Sequence, residues 1–338
     1  MPDYIKAFVA GLVVCYVLTP LIRRLAVRVG AVDRPDQRKV HKGLIPRMGG
    51  LAIYLGFVVA VLLTDMEMNR EMIGLLVGGT FIVLVGIIDD IYQIPAKYKL
   101  LGQIAAACIL VLFGIKIKWL VYPGSGEYFY MDSFSVPATI LWVVSMTNAL
   151  NLIDGLDGLA AGVAAIASVT VFIVAVHSEF YPVAIMMAAL AGANFAFIKY
   201  NFNPATVFMG DTGSMFVGYM MAAIAVFGVV KSAAAAALLV PAVALGLPII
   251  DTFLAIVRRY SHGRPIFKPD RGHLHHRLLE AGFSHKQAVL LLYLVSIALS
   301  AGALIFTKGS GFWGLGFVGL VVAAVFIGAK KIGILNDT

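Results

Sequence analysis

The chain has 338 residues, of which 61% are hydrophobic and only 13% charged, with a formal net charge of +8. So few charges cannot cover the water-facing surface of a soluble domain of this length, which excludes a soluble globular protein. A nucleic-acid-binding module is excluded with it, because no basic soluble segment of domain size exists to form one.

Stretches of ~20 apolar residues, enough to cross a hydrocarbon core of ~30 Å, recur from end to end. They do not alternate, so a β-barrel is excluded. The expected fold is all-α, a single polytopic membrane domain over 1–338 with about eleven helices, at roughly 4–22, 49–64, 71–88, 100–114, 136–152, 158–176, 182–198, 213–230, 233–256, 287–306 and 311–329. The first is a retained anchor rather than a cleaved leader, because Arg23, Arg24 and Arg28 follow the apolar run instead of preceding it. Cys15 and Cys108 fall inside helices and imply no disulfide. Between the fourth and fifth helices, 115–135 contains the alternating Ile115-Lys116-Ile117-Lys118-Trp119 followed by Pro123-Gly124-Ser125-Gly126, the pattern of a small surface hairpin. The Ala-rich run 233–239 suits a tightly packed helix face.

If the loops alternate sides, twenty Lys and Arg residues fall on one side and only Lys6, Arg70, Lys116, Lys118, Lys231 and Lys308 on the other. The positive-inside rule then places the N terminus outside, the C terminus in the cytoplasm and the hairpin on the extracytoplasmic face. The cytoplasmic segments are 29–48, 89–99, 153–158, 199–212 and 257–286, and the polar motifs lie in or beside them.

Asp89 and Asp90 close an apolar helix, where two carboxylates repel one another and also face the negative end of the helix dipole. A cation should compensate them. Mg²⁺ with substrate phosphates suits such hard oxygen ligands, and Lys97 and Lys99 follow within reach of either; a solvated helix stop is the alternative. In Asn148-Ala149-Leu150-Asn151-Leu152-Ile153-Asp154-Gly155-Leu156-Asp157-Gly158, the three-residue intervals put Asn148, Asn151 and Asp154 on one helix face, and two Asp-Gly pairs signal a break. Polar groups that begin inside an apolar segment need partners. Asp211, in Phe208-Met209-Gly210-Asp211-Thr212-Gly213, precedes a helix where it could cap the N-terminus or hold a cation near bound phosphate. The last cytoplasmic loop carries Arg264, Arg271, His273, His275, His276 and Arg277. Its H-x-H-H spacing lacks the Cys or carboxylate partners of a zinc site, and Arg and His donors suit a diphosphate or sugar better.

Taken in order, Arg38-Lys39-Val40-His41-Lys42-Gly43 through Pro46-Arg47-Met48-Gly49-Gly50, the Asp89-Asp90 pair with Ala96-Lys97, the Asn151–Gly158 stretch, Phe208-Met209-Gly210-Asp211, and Gly272-His273-Leu274-His275-His276-Arg277 resemble the polyprenyl-phosphate N-acetylhexosamine-1-phosphate transferases across nearly the whole chain. The resemblance implies transfer of a sugar phosphate from a UDP-sugar to undecaprenyl phosphate with release of UMP, using Mg²⁺ or Mn²⁺. Arg277 and the short insert after Asp90 look like the branch that uses UDP-N-acetylglucosamine, more than the branch taking UDP-N-acetylmuramoyl-pentapeptide. It further implies Asp211 as principal metal ligand with Asp90 and Asp154 beside it, and Asp89 orienting the carrier phosphate. Lys97 and Lys99 would neutralise phosphate, Asn148, Asn151, Asp154 and Asp157 would shape the nucleotide site, and Arg264, His273, His275 and His276 would hold the diphosphate or sugar. The implied setting is the bacterial cytoplasmic membrane, in contact with its lipids, and the resemblance alone suggests a homodimer. A transporter would instead place ionisable groups near the bilayer midplane, and a CDP-alcohol phosphotransferase would need an Ala-Arg continuation that Asp154-Gly155-Leu156-Asp157-Gly158 lacks.

Overall fold

The computed structural model describes residues 1–33, 44–121, 128–232, 236–261, 263, 273–307 and 311–331. Among these the fold is all-α, with α1 (Asp3–Val29), α2 (Gly50–Leu62), α3 (Arg70–Tyr92), α4 (Ala96–Leu112), α5 (Ser135–Ile153), α6 (Leu159–His177), α7 (Tyr181–Asn201), α8 (Gly210–Ser232), α9 (Ala236–Ala244), α10 (Gly246–Ser261), α11 (Leu274–Glu280), α12 (His285–Thr307) and α13 (Gly311–Lys331). Seven helices are long and apolar enough to cross a membrane, or eight if one bent pair counts as a single span.

The count departs from the expected eleven in two places. The run read as one helix over 233–256 is two, α9 and α10, bent by 74°. Pro241 lies inside α9 and Gly246 follows the break, so the backbone lacks one donor and meets little steric resistance to the turn. The other addition, α11, has only seven residues, Leu-His-His-Arg-Leu-Leu-Glu, too short and too polar for a hydropathy reading.

The core is built around α8, whose apolar stretch is buried along its whole length and is packed by α2, α3, α5 and α9. Because α8 is enclosed by protein, its sequence can be apolar on every face, and small residues let neighbours approach it. A Cβ on Gly86 of α3 would lie 2.5 Å from the Cα of Thr212, so only glycine permits this crossing at the start of α8.

Two short strands, β1 (Val32–Asp33) and β2 (Ile45–Pro46), pair antiparallel at one end of the bundle. The chain after β2 is tied to the approach to α8: Phe208 N–H donates to Pro46 O, Gly49 N–H to Phe208 O and Gly50 N–H to Met209 O, at 2.8 to 2.9 Å. These bonds bring Asp33 and Arg47 to the acidic end of α3. Strands β3 (Trp119–Val121) and β4 (Tyr128–Tyr130) form a separate hairpin with Trp119 opposite Tyr130. Ile115 and Ile117, which lead into β3, are buried, and Ser135 donates to Ile117 O at 2.6 Å.

Candidate active site

The last turn of α3 places two adjacent carboxylates about 100° apart around the helix, so they meet different neighbours. Both are buried, at 3% exposure for Asp89 and 2% for Asp90. Asp90 turns to the first turn of α8. Its Oδ1 accepts the backbone N–H of Asp211 at 2.9 Å, and its Oδ2 accepts both the N–H of Thr212 at 3.1 Å and the Thr212 hydroxyl at 2.6 Å. Gly210 makes room for this contact: its φ is +70°, and a Cβ there would lie 2.5 Å from Asp90 Oδ2. The negative end of α3 thus meets the positive end of α8, and the unpaired N–H groups of one helix satisfy the carboxylate closing the other.

Asp89 turns to α4. Lys99 Nζ donates to Asp89 Oδ2 at 3.0 Å and to Asp211 Oδ2 at 2.7 Å, bridging two residues 122 positions apart in sequence. Burial alone would lower the Lys99 pKa, but Asp211 and Asp89 outweigh it and hold the ammonium above the ordinary lysine range. Arg47 stands on the other flank, 3.6 Å from Asp33 and 3.9 Å from Asp90. The charge compensation that the acidic pair demands is therefore present within the chain, from Lys99, Arg47 and the α8 N-terminus.

One ligand atom from each of Asp89, Asp90 and Asp211 fits within a 4.8 Å group, and Asp89 Oδ1 is buried with no hydrogen-bond partner. Such an orphaned oxygen is costly unless a ligand completes it. Hard carboxylate oxygens of this kind fit a Mg²⁺ ion, and the fit is best for Asp89 and Asp211, because the two oxygens of Asp90 already accept three donors. Asp154 ends α5, and its carboxyl is raised well above the usual range by burial and then by the charges of Asp211 and Asp90.

The remaining residues read from the sequence divide into two groups. Asn151 joins the site, donating to Ser214 Oγ at 2.8 Å, which in turn donates to Gly210 O. Asn148 faces α4, where its amide pairs with that of Gln103 in both directions at 2.5 and 3.2 Å. Asp157 serves the framework: Oδ2 accepts from Asn203 Nδ2 at 2.9 Å and Ala205 N–H at 3.0 Å, and its own N–H donates to His285. Lys97 is exposed, over the ring of Tyr98, and takes no part in the carboxylate cluster. Arg264 lies outside the described residues, as do Arg271 and the segment 34–43.

The histidine segment sits against the α5–α6 turn. His275 is 2% exposed with both ring nitrogens unpartnered, and a Cβ on Gly155 would lie 2.3 Å from its Nε2. Burial, then the neighbouring His276, push its pKa down to about 3, so it is a neutral imidazole. Its ring is stacked on His273 at 5.7 Å and contacts His276 at 4.3 Å. Arg47, Thr212 and Ser214 are the site groups not singled out individually from sequence. Thr212 carries a local signal, a hydroxyl one position after an acidic residue at a helix start, whereas the role of Arg47 depends on the pairing of β1 with β2.

The sequence pattern of glycosyl transferase family 4 matches residues 72–229, the region that supplies Asp89, Asp90, Lys99, Asn151, Asp154 and Asp211. A Bacillus subtilis protein described as a probable undecaprenyl-phosphate N-acetylglucosaminyl 1-phosphate transferase is 38% identical over 98% of this chain and 93% of its own length. The decaprenyl-phosphate N-acetylglucosaminephosphotransferase of Mycolicibacterium smegmatis is 40% identical over 93% of this chain and 85% of its own length. The undecaprenyl-phosphate alpha-N-acetylglucosaminyl 1-phosphate transferase of Escherichia coli K12 is 28% identical over 82% and 77%. Similarity over nearly the full length, spanning both partners of each contact in the carboxylate cluster, means that this chain belongs to glycosyl transferase family 4 and is a phosphoglycosyl transferase of the polyprenyl-phosphate N-acetylhexosamine-1-phosphate group.

Proposed function

We propose that the protein transfers N-acetylglucosamine 1-phosphate from UDP-N-acetylglucosamine to undecaprenyl phosphate in a bacterial cytoplasmic membrane, releasing UMP and forming the diphosphate-linked lipid that starts a cell-surface polysaccharide. The observation that carries this reading is the meeting of Asp89, Asp90 and Asp211 within 4.8 Å, with Lys99 between two of them, at the end of a membrane helix bundle. Such a site keeps a lipid phosphate at the interface while its tail stays in hydrocarbon, where each CH₂ withdrawn into water would cost ~0.8 kcal/mol. The excess of Lys and Arg on the same side supports a cytoplasmic site open to the nucleotide sugar.

In this reaction an oxygen of the lipid phosphate attacks the sugar-bearing β-phosphorus, and the bond from that phosphorus to the bridging oxygen breaks, so that the oxygen leaves with UMP. Asp211 and Asp89, with Asp154 at the rim, would hold Mg²⁺, and Mn²⁺ could take its place. When bound, the cation supplies charge neutralisation and Lewis acidity toward the diphosphate. Lys99 passes from the two carboxylates to substrate phosphate and offsets the repulsion between two anions. Asp90 positions Asp211 by fixing the first turn of α8, and Arg47 adds positive charge where the carrier phosphate approaches. His273 and His276 receive the nucleotide sugar, with the buried ring of His275 packed against both. A carboxylate that takes the phosphoryl group covalently is a longer route to the same products.

The decisive experiment supplies purified protein with undecaprenyl phosphate, Mg²⁺ and UDP-N-acetylglucosamine or its epimers, and identifies both products. UMP with a diphosphate-linked lipid is expected. Release of UDP, or no lipid product with any UDP-N-acetylhexosamine, overturns the reading.

A further inference from the structure

Asp251 lies in α10 and is 5% exposed. Both of its oxygens are committed to one junction at the start of α11: Oδ2 is 2.9 Å from His273 Nδ1, and Oδ1 accepts the backbone N–H of Leu274 at 2.8 Å. His273 is equally buried and stacks on the ring of His275 with an interplanar angle of 9°. An acidic side chain in an apolar helix is costly unless its partners satisfy it, and here a carboxylate 22 residues away is what satisfies the first turn of the histidine segment.

A carboxylate only accepts hydrogen bonds, so His273 Nδ1 must carry the hydrogen, and a neutral ring then presents Nε2 as a bare acceptor. We propose that Asp251 is a positioning residue for the nucleotide-sugar subsite, holding His273 in one plane and one tautomer so that Nε2 accepts a hydrogen bond from an N–H or O–H of the UDP-sugar. The His273 interaction is thereby directed at the hydroxyl, amide or base edge of the donor and not at phosphate oxygens, which offer no hydrogen. This rests on the reading that the histidine segment receives the donor substrate.

The test uses full-length protein in detergent or nanodiscs. Asp251→Asn keeps the shape, and its amide oxygen can still accept from Leu274. Its NH₂ group then faces Nδ1 and drives the ring hydrogen to Nε2. The KM for UDP-N-acetylglucosamine should rise about 10-fold, with the KM for undecaprenyl phosphate changed less than about 2-fold. Introduced into His273→Ala, the same substitution should add no further loss. Unchanged donor KM, or an equal loss in the His273→Ala background, overturns the proposal. A measurement that needs no altered Asp251 is ¹⁵N spectroscopy of ring-labelled histidine at pH 8, assigned by the signal that His273→Gln removes. Hydrogen on Nδ1 alone supports the proposal; a ring bare at Nδ1, or protonated on both nitrogens, overturns it. Absence of UMP release by the unaltered protein would defeat the proposed reaction and leave the tautomer measurement standing by itself.

Discussion

Replacement of Lys99 by Met tests the centre of the site, because it removes one charge and keeps most of the apolar stem. The Lys99 side chain is 24% exposed and bonds two carboxylates whose side chains are 4% and 14% exposed, so its removal leaves a buried and a half-buried negative charge without their shared partner. Breaking a buried ion pair by deleting one partner costs about 3–5 kcal/mol, and partial access of water to Lys99 sets the low end, about 3 kcal/mol. A cation that neutralises phosphate in the transition state contributes about 2.7–4 kcal/mol, a 100- to 1000-fold loss of kcat. UMP release measured by a coupled assay should fall by that factor. Thermal unfolding in detergent should show a larger gain from Mg²⁺ in Lys99→Met than in the unaltered protein, because a divalent ion replaces the missing charge. Turnover above one-third of normal, or the same Mg²⁺ stabilisation in both proteins, would refute the bridging role.

Asp89→Asn, Asp90→Asn and Asp211→Asn should each lower turnover at least ~100-fold with the helices still assembled, while Lys116→Ala and Lys118→Ala, beside the separate hairpin, stay near normal; near-normal rates in all three Asn variants in the UMP assay would remove the site. Gly210→Ala forces an Ala into a left-handed backbone at a cost of about 1–2 kcal/mol and drives its Cβ against Asp90, so turnover should drop at least ~10-fold, and unchanged kinetics would show that the Asp90 contact is dispensable. His275 has a folded pKa of about 3 against an unfolded value of about 6.5, so the unfolded chain binds the proton first as pH falls. Its contribution is intact above pH 6.5 and is lost on acidification at about 1.4 kcal/mol per pH unit, roughly 2 kcal/mol between pH 7 and 5. Denaturation midpoints of the unaltered protein and His275→Gln across that range check it, and parallel curves would contradict it.

The membrane architecture was legible because hydropathy depends only on local composition, and the break at Pro241 and Gly246 was written in residues that the apolar run outweighed. Asp89 and Asp90 were legible as a problem, since neighbouring carboxylates at a helix C-terminus demand positive charge wherever they occur. The solution was not: the N-terminus of α8 is 121 residues from Asp90, and no local rule brings the two dipoles together. The same limit explains Asn148 and Asp157. Each stands in a motif that suggests substrate contact, and the partners the structure adds, Gln103 and the 203–205 turn, come through tertiary contacts 45 and 46 to 48 residues apart that no local rule names. Lys97 and Lys99 were equivalent on paper. A two-residue step along α4 turns one toward solvent and the other into the cluster, a distinction that requires knowing which face of α4 meets α3.

A rod walled in on every side by its neighbours cannot tilt or slide alone, so α8 presents Asp211 from a fixed mast. Under the proposed function, the yielding needed to admit a long isoprenoid tail would fall to outer staves such as α1 and α12, which the protein encloses far less than α8. Catalytic alignment and lipid entry would then belong to different parts of the molecule, and changes that loosen the rim should alter how fast carriers come and go without disturbing the geometry at the mast's tip.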